Sequence, residues 1–168
     1  MNRGFTLLEL LIVLALATGL GLIALPLPVQ HRDRFVLQQA MRRLRLGLDR
    51  GRLAAERFGQ PCALHLSQQG WEAPATGALP PCRGASMPLI PAAGAELAVH
   101  SNLPDALRFS ANGLILDGGM VVLSHPRLGH SSCLVIALPL GIARTGIYHG
   151  DPSISFSSSS CRPDHAVD

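Results

Sequence analysis

Apolar positions divide this chain into three textures. From Phe5 to Leu25 the run is almost unbroken, and Glu9 is its only charged residue. As an α-helix those 21 residues would reach about 31 Å, the thickness of a bilayer's hydrocarbon core. After Pro26 and Pro28, which interrupt or kink a helix, a helical period resumes. Leu37, Met41, Leu44, Leu48, Gly51, Ala55 and Phe58 follow one another at alternating spacings of four and three, a single stripe of apolar or small residues. Gly59-Gln60-Pro61 ends it.

Beyond Pro61 the period shortens. Strand-like runs fall at Cys62–Leu66, Leu97–His100, Leu107–Phe109, Leu114–Leu116, Met120–Leu123, Cys133–Leu138 and Ile142–Tyr148. Turn signals separate them, and Pro139-Leu140-Gly141 between the last two predicts a hairpin. Residues 73–96, rich in Ala, Pro and Gly, are expected to form a long irregular loop, and the Ser-rich end from Ser153, with one apolar pair, Ile154 and Phe156, reads either as a last strand tied down by Cys161 or as a mobile tail. The pattern predicts an α+β fold: a long N-terminal helix whose outer half packs on an antiparallel sheet. Residues 5–29 form its membrane half, 30–58 its amphipathic half and 59–168 a β-rich domain. If continuous from Phe5 to Phe58, the helix would span roughly 80 Å.

The acid inside the apolar run changes the picture most. A carboxylate in a bilayer-length helix costs about 2–3 kcal/mol unless it finds a partner. A cleaved secretory signal would have a shorter apolar core, no acid within it and a small-x-small site after it; Ala24-Leu25-Pro26-Leu27-Pro28 provides no such site. A retained anchor is therefore predicted. Arg3 before the span and a large domain after it place the C-terminal domain outside.

Charge is uneven. Between Arg32 and Phe58 stand eight Arg against three acids, whereas the rest of the chain has six Arg and eight acids. All 14 basic residues are Arg, which we read as base-composition bias and not as mechanism. Four cysteines, Cys62, Cys82, Cys133 and Cys161, include no CxxC pair, which argues against a zinc knuckle or a thioredoxin-like site. In an oxidising compartment three connectivities are open to them; the local pairs Cys62–Cys82 and Cys133–Cys161 are the expected one, with reduced structural thiols the alternative.

Gly4-Phe5-Thr6-Leu7-Leu8-Glu9 followed by an apolar helix resembles the signal of type IV pilins and of the pseudopilins of type II secretion. Residues 1–4 would then be a leader. The resemblance implies cleavage between Gly4 and Phe5 by a prepilin peptidase, N-methylation of Phe5, a helix-bending role for Pro26 and an assembly role for Glu9. Arg52-Leu53-Ala54-Ala55-Glu56-Arg57-Phe58-Gly59-Gln60-Pro61 with the later Trp71, and Leu107-Arg108-Phe109-Ser110-Ala111-Asn112-Gly113, resemble the GspH/FimT group of minor pilins. That group often has a Gly-Arg pair in the last hairpin; here Ile142 follows Gly141, and the arginine is Arg144. Implied partners are other pilins, the peptidase, the membrane and an inner-membrane assembly platform. The implied location is the bacterial inner membrane with a periplasmic domain, then a filament. Cleavage would create an amine at Phe5 able to reach Glu9 of a neighbouring subunit, and a matched buried pair is tolerated where a lone charge is not.

Other chemistries are weaker. His125 and His130 lie five apart with no acid between them, so no metal is expected, and no cofactor. No GxSxG-type nucleophile motif is present, and the chain is not expected to be an enzyme. Gly47 and Gly51 are expected to let the helix approach the sheet closely. Direct DNA binding, in a membrane-anchored binding module, is the alternative function. Arg108, Arg127, Arg144 and Arg162 are its candidate phosphate contacts, and Trp71 and Tyr148 the sole Trp and Tyr for stacking.

Overall fold

The computed structural model describes residues 6–23, 29–90, 96–138 and 141–163. Helix α1 (Leu7–Ile23) is apolar on nearly every side, and each side chain described on it, up to Leu16, is exposed. Among the described residues no helix is long and apolar enough to cross a membrane; α1 as described has 17 residues, about 26 Å of helix. The predicted span begins at Phe5 and ends at Leu25, both outside the described residues, as is the kink expected at Pro26.

Helix α2 (Val29–Phe58) runs 30 residues, about 45 Å. Its stripe is buried as predicted at Leu37, Met41, Leu44, Leu48, Gly51 and Ala55, and is widened by Ala40, Gly47 and Ala54. Phe58 is a correction: it is 48% exposed. A repeat of seven drifts about 20° per heptad on a straight helix, so three heptads past Leu37 the stripe has turned off the buried face.

Among the described residues nine strands follow: β1 (Cys62–Leu66), β2 (Gly70–Glu72), β3 (Met87–Pro88), β4 (Ala98–Ser101), β5 (Leu107–Phe109), β6 (Gly119–Ser124), β7 (Ser131–Ala137), β8 (Ile142–Tyr148) and β9 (Cys161–Arg162). They form two sheets where one was expected, ordered β3-β2-β1-β5 and β4-β6-β7-β8-β9, with every paired strand antiparallel. The predicted hairpin is present, with Ala137 opposite Ile142 and Ser131 opposite Tyr148. Leu114–Leu116 is not a sheet strand; only Ile115 makes an antiparallel bridge, to Phe109. The expected loop over 73–96 contains β3, which extends the first sheet beside β2.

Helix α2 packs on both sheets, and the main core lies beneath it: Leu37, Leu44 and Leu48 against Leu64, Trp71, Phe109, Val121, Leu123, Leu134 and Ile136. A second, smaller core covers the far face of the larger sheet, where Met120, Val122, Cys133, Val135 and Tyr148 meet Phe156 and Cys161. Strand β6 is thus buried on both faces, which is why its sequence reads as a continuous apolar run and not as an alternation. Both local disulfides form: Cys62–Cys82 ties β1 to the loop before β3, and Cys133–Cys161 ties β7 to β9.

Candidate functional site

Gly4 and Phe5 lie outside the described residues; Glu9 stands in the first turn of α1. Its backbone N–H donates to Thr6 Oγ1 at 3.3 Å, and Leu10 N–H donates to the Thr6 carbonyl at 3.2 Å. Thr6 is therefore the N-cap and Glu9 the third helical residue, the Thr-x-x-Glu spacing of a capping box. That spacing was readable in the sequence, and reading Glu9 only as a charge in an apolar run overlooks it. A carboxylate here also meets the positive end of the helix dipole. The remainder of the turn is apolar and uncovered, with Leu7 79%, Leu8 70% and Leu11 56% exposed. Such a surface is complete only when lipid or other apolar helices lie against it.

Residues 1–25 match the family described as the prokaryotic N-terminal methylation motif. The chain carries that prepilin signal. The match supports a type IV pilin-like subunit, processed by prepilin peptidase, in company with other pilins, and it implies membrane anchoring. No curated protein and no solved structure matches the chain.

The structure separates the four arginines proposed as phosphate contacts. Arg108, at the edge of the smaller sheet, clasps Asp117: its Nη2 lies 2.6 Å from Oδ1 and its Nε 3.0 Å from Oδ2. Arg108 N–H adds a bond to Oδ2 at 2.9 Å. The hydrogen bonds from Arg108 hold the Asp117 carboxyl below the usual carboxylate range, and Asp117 raises the guanidinium in return. Arg127 reaches from the β6–β7 loop to Asp33, a buried acid near the start of α2, with Nη2 to Oδ1 at 3.1 Å and Nε to Oδ2 at 3.0 Å. These two arginines are engaged with carboxylates. Arg144 and Arg162 are exposed and have no ion pair among the described residues.

The sole Trp and Tyr are both buried. Trp71 is 1% exposed, its Nε1–H donating to Leu44 O at 2.8 Å, and Tyr148 is 3% exposed, its hydroxyl donating to Ser155 O at 2.6 Å. Neither presents a face to a base.

His125, expected in a loop, is buried; its Nδ1 accepts the Arg127 N–H at 3.3 Å, and its Nε2 lies 3.8 Å from Asp33 Oδ1. With Nδ1 turned to that N–H, Nε2 is the ring nitrogen that faces Asp33. This cluster fastens the β6–β7 loop to the end of α2 nearest α1 in sequence. At the same end of the larger sheet His100, His130, His149 and Asp151 line a surface cavity of about 600 Å³. Among the described residues no group of three His, Cys, Asp or Glu is placed to hold a metal ion.

Proposed function

We propose that the chain is a structural, non-enzymatic minor pilin or pseudopilin of the GspH/FimT kind, built into a type IV pilus or a type II secretion pseudopilus. Prepilin peptidase cleaves between Gly4 and Phe5, and the new amine on Phe5 is methylated. The mature chain waits in the inner membrane with its β-rich domain in the periplasm, then enters a filament through an assembly platform. One observation carries this reading. The signal at residues 1–25 leads into a helix whose described side chains are all uncovered, on a domain whose core is already complete without it. In a filament that surface lies against the corresponding helices of neighbours, and the Phe5 amine answers Glu9.

The test is the intact mass of the protein purified from membranes. Loss of Met1–Gly4 with gain of one methyl group is expected; a chain that keeps residues 1–4 is an anchored binding module instead. A deletion strain scored for both twitching and exoprotein release assigns the pilus or the secretion system.

A further inference from the structure

Helix α2 buries one face on the sheets, and its opposite face carries an uncovered apolar stripe. Phe35, Leu46 and Leu53 are 57%, 42% and 60% exposed. At about 100° per residue they fall within about 20° of one another, on the far side of the helix from the fully buried Leu44. Arginines border the stripe. Arg32, Arg42, Arg50 and Arg57 are all exposed and project within about 60° of it. Two acids share this side of the helix, Asp49 and Glu56. Glu56 is turned toward Gly113, where a Cβ on residue 113 would stand 2.4 Å from its Oε1, so Asp49 is the acid that stays among the four arginines.

Such a face does not suit a second helix. A helix–helix seam needs an apolar residue every three or four positions, and this stripe has three between Phe35 and Leu53. Helix α1 of a neighbour would offer Glu9 as its only charge to four guanidinium groups. A DNA duplex would meet the arginines but leave Phe35, Leu46 and Leu53 in water. An anionic lipid surface answers both halves of the pattern. Large apolar side chains enter the headgroup boundary, while arginine stems lie along it and hold their guanidinium groups at the phosphates. The chain also brings this face to a bilayer. Five residues separate Ile23 from Val29, so the start of α2 stays within about 20 Å of the end of α1 by any path. Pro26 and Pro28, among those five, take two N–H donors from any helix that would join the two, so α2 need not continue the axis of α1.

We propose that the outward face of α2, from Arg32 to Arg57, docks on the surface of an anionic phospholipid bilayer. Phe35, Leu46 and Leu53 set into the headgroup boundary, and the arginines engage the phosphates. Helix α2 then lies between the lipid and the sheets, with the second core facing away from the membrane. This inference rests on α1 being held in the membrane, and it needs no filament.

The test uses the full chain reconstituted in vesicles of phosphatidylcholine, alone or with an equal part of phosphatidylglycerol. Leu53→Trp reports on the α2 face. Ile154→Trp is the control, at a position 85% exposed in the segment that roofs the second core, and the signal of the buried Trp71 is subtracted using the parent chain. In the anionic vesicles, acrylamide quenching of Leu53→Trp is expected to fall severalfold and brominated acyl chains to quench it, with Ile154→Trp unchanged in both. Adding Arg42→Gln and Arg50→Gln should restore acrylamide quenching, since each basic residue near an anionic surface is worth about fivefold in partitioning. Four results would overturn the proposal. Leu53→Trp could stay as accessible as Ile154→Trp, or be shielded equally without phosphatidylglycerol. Shielding could occur only at a high protein-to-lipid ratio, which makes a second copy the occupant, or a short DNA duplex could shield it equally on phosphatidylcholine vesicles. Flotation in carbonate separates docking from anchoring. A chain that floats with residue 53 accessible fails the docking alone, whereas a chain that does not float fails the anchoring reading and the docking with it.

Discussion

Gly47 of α2 and Trp71 of β2 are packed so closely that a Cβ on residue 47 would stand 1.9 Å from the indole Cδ1. The missing side chain lets the helix settle onto the smaller sheet and lets Trp71 reach the Leu44 carbonyl one turn away. Gly51 repeats the arrangement over Phe109, at 2.6 Å to Cζ. Gly47→Ala gains helix propensity, about 1 kcal/mol, but must displace a buried ring and its hydrogen bond. The displacement dominates, and a net loss of about 2 kcal/mol is expected in chemical denaturation, with a shift in Trp71 fluorescence. A neutral or stabilised variant would mean that the contact is slack.

Arg127 and Arg108 both hold aspartates, but the acids differ in burial. Asp33 is 3% exposed, whereas the Arg108–Asp117 clasp lies on the surface. Arg127→Ala leaves the buried Asp33 carboxylate facing His125 without its arginine. Allowing for the solvent around Arg127, the expected loss is about 1–2 kcal/mol. Arg108→Ala should cost less. Equal melting temperatures for the two variants would contradict that ordering.

Asp117 gives a pH signature of defined sign. Its folded pKa is depressed by the hydrogen bonds from Arg108, so its contribution is complete above the ordinary carboxylate range, near pH 4. That contribution disappears as pH falls through the lower folded value. Wild type should therefore exceed Asp117→Asn in denaturation midpoint at neutral pH, and the gap should close below about pH 4. Because the pair is exposed, the gap is small and shrinks in high salt. A gap that widens in acid would reverse the assignment.

The Cys133–Cys161 bridge pins the segment that roofs the second core, where Phe156 lies 6.3 Å from Tyr148, centroid to centroid. Replacing both cysteines by serine should cost about 3 kcal/mol by freeing a long loop in the unfolded chain. Hydrogen exchange should rise first over residues 149–163 while α2 stays protected. Uniform deprotection of both would show that the second core is not a separate unit.

Legibility of the fold followed the range of the forces. The α2 stripe, β1, β5 and β8 were readable because local periodicity alone marks them, and the two disulfides followed from proximity in sequence. Strands β2 and β3 have two or three residues each and exist only because a neighbour pairs with them. No local pattern could show Asp33 meeting Arg127 across 94 residues, nor that two of four displayed arginines are engaged. The signal, by contrast, is read by other proteins as linear sequence, so it was legible in full.

Glu9 has two readings to separate: the third residue of α1, its N–H on the Thr6 cap, and the proposed charge partner of a Phe5 amine. Cleavage after Gly4 would leave Thr6 in the chain. Glu9→Gln keeps the capping geometry, which glutamine supports, but removes the charge. Thr6→Ala keeps the charge and removes the side-chain cap, at a cost of about 1 kcal/mol to the helix end. If the charge directs entry into a filament, Glu9→Gln should reach the membrane and be processed normally yet fall at least tenfold in sheared filament fractions, the equivalent of about 1.4 kcal/mol. Thr6→Ala should then assemble almost normally. The reverse order, with Thr6→Ala defective and Glu9→Gln assembling, would make Glu9 a helix-start residue and leave the new amine without its partner.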